Sequence, residues 1–257
     1  MAVKIAIANQ KGGVGKTTTA LALADQLQCR GKKVLLIDCD PQRNSSAVYR
    51  AEIDGAATLY DIIMSGYDAS DCIQNTDCGD IIACDPELQD IDIKIKESPK
   101  KYTILKRAIK SIDKKYDYII FDTPPHVGIL LDNVLMAAQY LISPIKCDLY
   151  SVQGIQDFYE TVKDDFEMND DLQLLGLLKN QYKGRQSLTR DLEENTLPVI
   201  AQSLNTRIFT STVRDSVRVS EAAALGIRLS TYKPGKDIAG DFNRLTDEIL
   251  ELIGEGR

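Results

Sequence analysis

The sequence has no tryptophan, a single histidine and no apolar run long enough to cross a membrane. Its six cysteines include no CxxC pair and no paired spacing typical of a metal site, although Cys72, Cys78 and Cys84 recur at six-residue intervals. Free, reduced thiols are therefore expected, with a zinc or redox site as the alternative. A glycine-rich motif begins within ten residues of the N-terminus, which leaves no room before it for a signal peptide or a DNA-reading module. We expect a cytoplasmic protein.

The composition is sufficient for one sizeable α/β domain, which we expect to span residues 1–257. Of the 257 residues, 44% are hydrophobic and 27% are charged, enough for a closed core. The net charge of −7 argues against a general attraction to nucleic acid. The charge is uneven, because residues 172–236 contain ten Lys and Arg against five Asp and Glu.

The stretch Asn9–Thr19, NQKGGVGKTTT, has the context of a phosphate-binding loop. A β-branched run precedes it and a helical pattern follows from Thr17, so the order is strand, glycine-rich loop, helix. The glycines allow several N–H groups to point into one concavity, which favours a polyphosphate. Lys16 can reach the β and γ oxygens, and the Thr17 hydroxyl can ligate Mg²⁺. The predicted nucleotide-binding residues of the loop are Gly12, Gly13, Val14, Gly15, Lys16, Thr17 and Thr18.

The loop departs from the general pattern at Gln10, where a glycine is expected, and carries a second lysine, Lys11. Lys16 already neutralises the terminal phosphates, so a second cation in the same loop would compete for the same oxygens. We therefore expect Lys11 to reach a nucleotide held by a second copy of the protein. The alternatives are an ordinary glycine turn and a solvated surface lysine.

Two further runs place carboxylates at the ends of predicted buried strands. Asp38 ends the first run, Lys33–Asp38, and Asp40 comes two residues later. Asp122 directly follows the second run, Tyr118–Phe121. Open α/β sheets bind their ligands at these carboxyl ends. One carboxylate could hold Mg²⁺ through water and another could orient the attacking water. The alternative for Asp38 and Asp40 is a loop or helix cap.

The blocks KGGVGKTT, VLLIDCDPQ and YDYIIFDTPP together resemble the ParA/MinD (Soj-like) ATPases, a deviant-Walker-A branch of the P-loop NTPases. The resemblance covers nearly the whole chain. It implies ATP and Mg²⁺ as cofactors and an α/β fold, a single-domain P-loop NTPase whose twisted, mostly parallel sheet has helices on both faces. It also implies that Asp40 positions the hydrolytic water and that Asp38 lies near the metal. The expected catalytic residues are Lys11, Lys16 and Asp40, and the expected metal ligands are Thr17, Asp38 and Asp122.

Further residues of the chain match or depart from the same family pattern. The pattern has a small polar residue where this chain has His126, so we do not expect a catalytic histidine. A predicted strand ends at Asn180, whose amide could contact the adenine edge, with a turn cap as the alternative. In Soj-like relatives, arginines matching Arg185 and Arg218 contribute to nonspecific DNA binding. Arg214 would share a helical face with Arg218. The alternative for Arg218 is an ion pair with Glu221.

The function that the resemblance implies is ATP-dependent partition of DNA by a nucleoid-associated ATPase with weak basal activity. ATP would close a homodimer on nonspecific double-stranded DNA, and a ParB-type protein would stimulate hydrolysis. A ParA-like positioner of protein cargo is one alternative. A MinD-like membrane-cycling ATPase is another, but the C-terminal NRLTDEILELIGEGR is acidic where that family has a basic amphipathic helix. We therefore expect no membrane partner. A nitrogenase-iron-protein-like electron carrier would need paired loop cysteines, and Cys147 lacks an evident mate.

Overall fold

The β-branched runs of the sequence form the strands of one central sheet. In this computed structural model, which describes residues 1–98, 100–182 and 192–254, the sheet has eight strands in the order β3-β4-β2-β5-β1-β6-β7-β8. Neighbouring strands pair in parallel except β3 and β4, which form an antiparallel pair at one edge. The strands are β1 (Val3–Ile7), β2 (Val34–Asp38), β3 (Ile73–Thr76), β4 (Gly79–Ile82), β5 (Tyr118–Asp122), β6 (Tyr140–Ile145), β7 (Gln173–Tyr182) and β8 (Ile208–Arg214).

Helices cover both faces of this sheet. They are α1 (Lys16–Cys29), α2 (Asn44–Tyr49), α3 (Ile91–Lys94), α4 (Ile104–Ala108), α5 (Ile129–Ala137), α6 (Leu149–Thr161), α7 (Lys163–Met168), α8 (Leu197–Ser203), α9 (Arg218–Leu225) and α10 (Lys236–Leu252). Successive strand residues point to opposite faces, so Ile5 and Ile7 enter one hydrophobic core while Ala6 and Ala8 enter the other. The first core includes residues of α1, α9 and α10, and the second those of α4, α5 and α8. The predicted fold class is confirmed.

The strand order reverses at β1, which has β5 on one side and β6 on the other. In open α/β sheets such a reversal opens a crevice beyond the carboxyl ends of the strands. The β2–β5 register sets Asp38 opposite Asp122, and the β1–β5 register sets Ile7 opposite the same Asp122. The loop after β1 and the two carboxylates therefore meet at one end of the sheet.

One sequence prediction about the basic segment was wrong. Arg214 is the last residue of β8, whereas Arg218 is the first residue of α9, so the two arginines do not share a helical face. The reason is pairing with another strand: Ile208, Thr212 and Arg214 pair with residues of β7, while Phe209 and Val213 are buried in the core. A helical interpretation based on arginine spacing could not detect this pairing.

Two helices, α6 and α7, follow β6, and residues 42–98 contain α2, the β3–β4 hairpin and α3. Every helix in residues 1–98, 100–182 and 192–254 is too short or too polar to span a lipid bilayer.

The open edge of the sheet at β8 is closed by a side chain of α10. The carboxylate of Glu248 accepts the backbone N–H of Thr210 at 2.7 Å and that of Ser211 at 2.8 Å. The opposite face of α10 is apolar and buried, with Phe242, Leu245 and Ile249 in the core. These two backbone N–H groups of β8 are thus hydrogen-bonded without another strand.

Helix α2 is bounded by two arginines in the left-handed backbone region. Arg43 has φ 57° and Arg50 has φ 54°, a conformation that costs a non-glycine residue about 1–2 kcal/mol. A helix of six residues is also too short to be stable alone. Tertiary contacts must therefore hold α2 in place.

Candidate active site

The loop after β1 is shaped by two glycines with positive φ, Gly13 at 69° and Gly15 at 94°. A Cβ at Gly15 would stand 1.9 Å from Nδ2 of Asn180, so no side chain fits there. Asn9 anchors the start of the loop, because its Nδ2 donates to the Pro144 carbonyl at 2.9 Å and its Oδ1 accepts the Lys11 N–H at 2.9 Å. The loop is therefore held in one shape before any ligand arrives.

Asn180 supports the loop from β7, two strands away from β1 in the sheet. Its Nδ2 donates to the Val14 carbonyl at 2.7 Å and its Oδ1 accepts the N–H of Gln181 at 2.9 Å. Gln181 Nε2 in turn donates to the Gly13 carbonyl at 3.1 Å. Strand β7 continues past Asn180 to Tyr182. The structure thus gives Asn180 a role in shaping the loop, and its contact with adenine stays a prediction.

Lys16 begins α1 and is buried inside the loop. Its ammonium donates to the Lys11 carbonyl at 3.3 Å. Burial lowers the pKa of Lys16, and the charges of Asp122 and Asp40 oppose that shift. The ammonium thus lies between the glycine loop and the carboxylates, and an anionic ligand would compensate its burial.

Asp38 is fully buried at the end of β2 and receives three hydrogen bonds. Its Oδ2 accepts the N–H and the hydroxyl of Ser46, each at 2.7 Å, and its Oδ1 accepts the Asp40 N–H at 3.1 Å. Burial raises the pKa of Asp38, and the bonds from Ser46 oppose the rise. The first turn of α2 therefore fixes this carboxylate.

Asp122, at the end of β5, is also fully buried and is only half satisfied. Its Oδ2 accepts the Ser45 hydroxyl at 2.7 Å, whereas Oδ1 has no hydrogen-bond partner within the described residues. Burial and the charge of Asp38 raise the pKa of Asp122, and the Ser45 and Thr17 hydroxyls oppose that rise. A buried carboxylate oxygen without a donor calls for a cation.

This donor set fits Mg²⁺. Hydroxyl and carboxylate oxygens are the ligands that this hard cation prefers, and Thr17 and Asp122 offer them beside the glycine loop. Within the part of the chain that the structure describes, no three His, Cys, Asp or Glu side chains form a closed metal cage. Phosphate oxygens and water would have to complete the coordination. None of the six cysteines, all of which lie within the described residues, forms a disulfide bond.

Asp40 lies in the loop between β2 and α2. Its side chain accepts the Gln42 N–H at 2.9 Å, and the residue is mostly buried. Burial raises the pKa of Asp40, and the charge of Lys16 counteracts this. A cavity of about 360 Å³ adjoins Asp40 and is bounded on its other side by Pro124 and Pro125. The carboxylate therefore has open space beside it.

His126 lies in the loop after β5 and lines the same cavity as Asp40. Its side chain is 78% exposed, and Nε2 is 3.5 Å from Asp92. Asp92 also accepts the Ile129 N–H at the start of α5, at 2.8 Å. His126 is thus an exposed residue beside Asp92, and the expectation that it is not catalytic stays a prediction.

Lys11 points toward a residue of its own chain. Its ammonium is 3.0 Å from Oδ1 of Asp148, in the loop after β6, and both side chains are partly exposed. Sequence reasoning did not identify Asp148, nor did it identify Ser45 and Ser46. A serine near a loop is usually a helix cap, so nothing in the sequence pattern indicates that these hydroxyls contact the buried carboxylates.

The predicted DNA-contacting arginines differ in their surroundings. Arg218 Nη1 donates to both carboxylate oxygens of Glu221, at 2.9 and 2.8 Å, which is the ion pair that the sequence left open. Arg214 donates through Nε and Nη2 to Asp241, at 2.6 and 2.8 Å. Asp241 is buried, so the guanidinium of Arg214 satisfies an internal carboxylate. Arg185 lies outside the described residues.

A strand, a glycine loop, a helix that begins with a buried lysine, and carboxylates on adjacent strand ends define a P-loop nucleoside triphosphatase. The AAA domain family model matches residues 2–174. The sporulation initiation inhibitor protein Soj of Bacillus subtilis is 33% identical over 251 residues, which cover 95% of this chain and 97% of Soj. The chain belongs to the ParA/Soj-like family of partition ATPases, as the sequence predicts.

Solved structures are similar over the full chain. Cobyrinic acid a,c-diamide synthase from Mycobacterium smegmatis, with bound ADP and magnesium, is 26% identical at a TM-score of 0.83, covering 100% of this chain and 97% of that one. A plasmid partition protein from Borrelia burgdorferi, bound to AMPPNP, is 25% identical at a TM-score of 0.75, covering 98% of each chain. The same fold therefore occurs with a bound adenine nucleotide in both.

Proposed function

We propose that this protein is an ATP-dependent DNA partition ATPase. The observation that carries the proposal is the convergence of Lys16, Asp38, Asp40 and Asp122 beside one glycine loop. A lysine and three carboxylates at one sheet end can bind a triphosphate, hold its cation and orient a water molecule. The nucleotide-bound relatives support ATP and Mg²⁺ as the cofactors.

Each residue of the site has a distinct role in this proposal. Thr17 and Asp122 would hold Mg²⁺, with Asp38 beside them, and the cation would stabilise the charge that develops on the phosphates. Lys16 would neutralise the terminal phosphates from within the loop. Asp40 would orient the attacking water, because it adjoins open space and is the least buried of the three carboxylates. Basal turnover is expected to be weak, so that the ATP state persists until a partner acts.

The ATP state is proposed to be a homodimer in which each Lys11 reaches the nucleotide of the other protomer. The ion pair of Lys11 with Asp148 is half-exposed, and such pairs contribute little stability. A phosphate of the second protomer could therefore replace Asp148 as the partner of the ammonium. A ParB-type protein is proposed to stimulate hydrolysis and so to open the dimer.

The proposed DNA surface is centred on Arg218. Its side chain is 47% exposed, so a DNA phosphate could compete with Glu221 for the guanidinium. Arg214 is bound to Asp241 and would support β8 and α10 beneath that surface, with a partly exposed edge left for a phosphate. Arg185 is the third member of the proposed set. These contacts are to phosphate and carry no base information, so binding should be indifferent to sequence.

The burial of α10 supports DNA over a membrane as the surface that this ATPase uses. Its apolar residues pack into the core, so that face is not available to lie on a lipid surface. The charge surplus of residues 172–236 also supports DNA. A ParA-like positioner of protein cargo could use the same DNA surface. Pull-down of a centromere-binding protein, as opposed to a cargo adaptor, would distinguish these two roles.

The proposed function is tested by DNA binding with and without ATP. Unrelated duplexes should bind with similar affinity, and ATP should raise that affinity, because dimerisation doubles the phosphate contacts on one duplex. The affinity should fall steeply with salt. Affinity that does not depend on ATP, or that depends on the duplex sequence, would contradict the proposal.

Arg218→Ala should weaken DNA binding by roughly tenfold and reduce the salt slope by about one per protomer, since it removes one charge-assisted phosphate contact. ATP binding and dimerisation should be unchanged. The matched control is Arg107→Ala, because Arg107 is an exposed arginine of α4 with a hydrogen bond to Thr103 of its own turn. Fluorescence anisotropy at two salt concentrations measures the effect.

Glu221→Gln extends this test in the opposite direction. It removes the acidic partner of Arg218 and should strengthen DNA binding severalfold, because the guanidinium no longer has to leave a carboxylate. If Arg218 serves only its ion pair with Glu221, Arg218→Ala and Glu221→Gln will both leave DNA affinity and salt slope at their wild-type values.

A further inference from the structure

Helix α2 touches both buried carboxylates of the active site. Ser45 donates to Asp122 at 2.7 Å, and Ser46 donates twice to Asp38 at 2.7 Å. Both serines are themselves buried. Binding of a cation to these carboxylates would change the hydrogen bonds that they accept from Ser45 and Ser46. It would therefore act on the first turn of α2.

The other end of α2 holds the C-terminus of α9. Arg50 Nη2 donates to the Leu225 carbonyl at 2.9 Å, one of the carbonyls that a helix leaves without an internal partner. The helix dipole favours a cation at this end. Gly226 ends α9 at φ 62°, and a Cβ there would stand 2.8 Å from Nε of Arg50. The guanidinium is thus seated closely against the end of α9.

Between these ends the two helices are separated by a cavity. It has a volume of about 340 Å³ and is lined by residues of α1, α2 and α9, among them Leu21, Val48 and Ala223. The Cys78 thiol also reaches both sides, but its contacts to the Val48 and Gly226 carbonyls are 3.9 and 3.7 Å long. Thiols are weak donors, so Arg50 provides the strong polar link between α2 and α9 among the described residues.

We propose that α2 is a rigid lever that couples the magnesium site to α9, and that Arg50 is the positioning residue at its joint. Left-handed residues, Arg43 and Arg50, end the helical backbone on either side of α2, so this short helix is a separate unit of the chain. A cation held by Asp122 with Asp38 beside it would displace the serine end, and Arg50 would carry the displacement to α9. This inference rests on the proposed function, because α9 begins with Arg218, the residue expected to contact DNA.

The coupling has a reciprocal consequence that can be measured. If Mg²⁺-ATP raises the affinity for DNA through α2, DNA must raise the affinity for Mg²⁺-ATP by the same factor. Arg50→Ala should lower both factors together by at least about threefold, and the share that dimerisation supplies should remain. Its rate of ATP hydrolysis without DNA should equal that of the wild type, because the guanidinium of Arg50 donates to the end of α9 and the residues proposed to bind ATP are unchanged.

The first experiment compares DNA affinity with and without Mg²⁺-ATP for four proteins: wild type, Arg50→Ala, Gly226→Ala and the control Arg107→Ala. Gly226→Ala displaces the guanidinium without removing its charge, so it should reduce the coupling as Arg50→Ala does. Thermal unfolding checks that each variant is folded. The proposal is overturned if Arg50→Ala keeps the full ATP effect. It is also overturned if Arg50→Ala lowers the affinity equally with and without ATP, which would make Arg50 a direct phosphate contact.

A second experiment needs no DNA, so it separates this proposal from the proposed function. The chain has no tryptophan, so Val217→Trp would place a single reporter at the exposed start of α9, at the far end from Arg50. Mg²⁺-ATP should change its fluorescence when Arg50 is present and leave it unchanged with Arg50→Ala, at equal dimer content by sedimentation. Equal fluorescence changes in the two backgrounds would overturn the lever, whether or not the protein binds DNA.

Discussion

An Asp40→Ala variant should bind ATP with near wild-type affinity and hydrolyse it at least about a hundredfold more slowly. The phosphate loop, Lys16 and the pair Asp38 and Asp122 are untouched by this change, so the contacts expected to hold nucleotide and cation survive. What disappears is the carboxylate that adjoins open space between the loops after β2 and β5. Single-turnover hydrolysis and equilibrium binding of ATP, measured on the same samples, would separate the two effects.

Lys16→Ala provides the contrast for that experiment. Its ammonium is the buried cation of the loop, so its removal should abolish ATP binding as well as turnover. A variant of Asp40 that hydrolyses ATP at the wild-type rate would remove this residue from the mechanism. A variant that no longer binds ATP would instead show that Asp40 contributes to the binding site.

Lys11→Ala should leave ATP binding nearly unchanged and abolish ATP-dependent dimerisation. The reason is that Lys16 already supplies the cation of the loop within one protomer, so the loss of Lys11 removes a contact to the second protomer alone. Analytical ultracentrifugation with ATP and with ADP measures the dimer directly. ATP-stimulated DNA binding should fall by the same fraction as the amount of ATP-dependent dimer.

The ion pair between Lys11 and Asp148 supplies a matched control. Asp148→Asn breaks the same 3.0 Å contact but keeps the lysine. If Lys11 acts across the dimer, Asp148→Asn should dimerise with ATP as the wild type does or more readily. If both variants fail to dimerise, the ion pair within one chain is the functional contact, and the role across the dimer is wrong.

Much of the architecture could be predicted because parallel strands bury both faces. Runs such as those of β2 and β5 are continuously apolar and end in aspartate, which identifies both the strand and the end of the sheet where the ligand binds. The phosphate loop was identifiable for a similar reason, since its glycines and lysine must follow one another in the chain. These features are local, and a single sequence contains them.

The contacts that could not be predicted join distant parts of the chain. The bond of Ser45 to Asp122 and that of Arg50 to the end of α9 depend on how α2 packs, and a six-residue helix bounded by strained arginines has no sequence signature. The helical interpretation of Arg214 was wrong because its spacing from Arg218 fits a helix, whereas pairing with β7 makes Ile208–Arg214 a strand. In each case tertiary packing outweighed the local pattern.

The carboxylate of Glu248 makes the hydrogen bonding of the sheet edge depend on pH. Burial alone would raise the pKa of Glu248, but the hydroxyl and N–H groups of Ser211 and Thr210 hold it below its ordinary value. A lowered pKa contributes stability that is present above about pH 4.5 and is lost as the pH falls further. Protonation would weaken both bonds to the N–H groups of this edge strand, which could then pair with a strand of another molecule. Glu248→Ala should therefore form intermolecular β-structure at neutral pH, and the wild type should do so on acidification. Turbidity and amide infrared spectra measure this, and they should remain unchanged for the exposed-face variant Glu251→Ala.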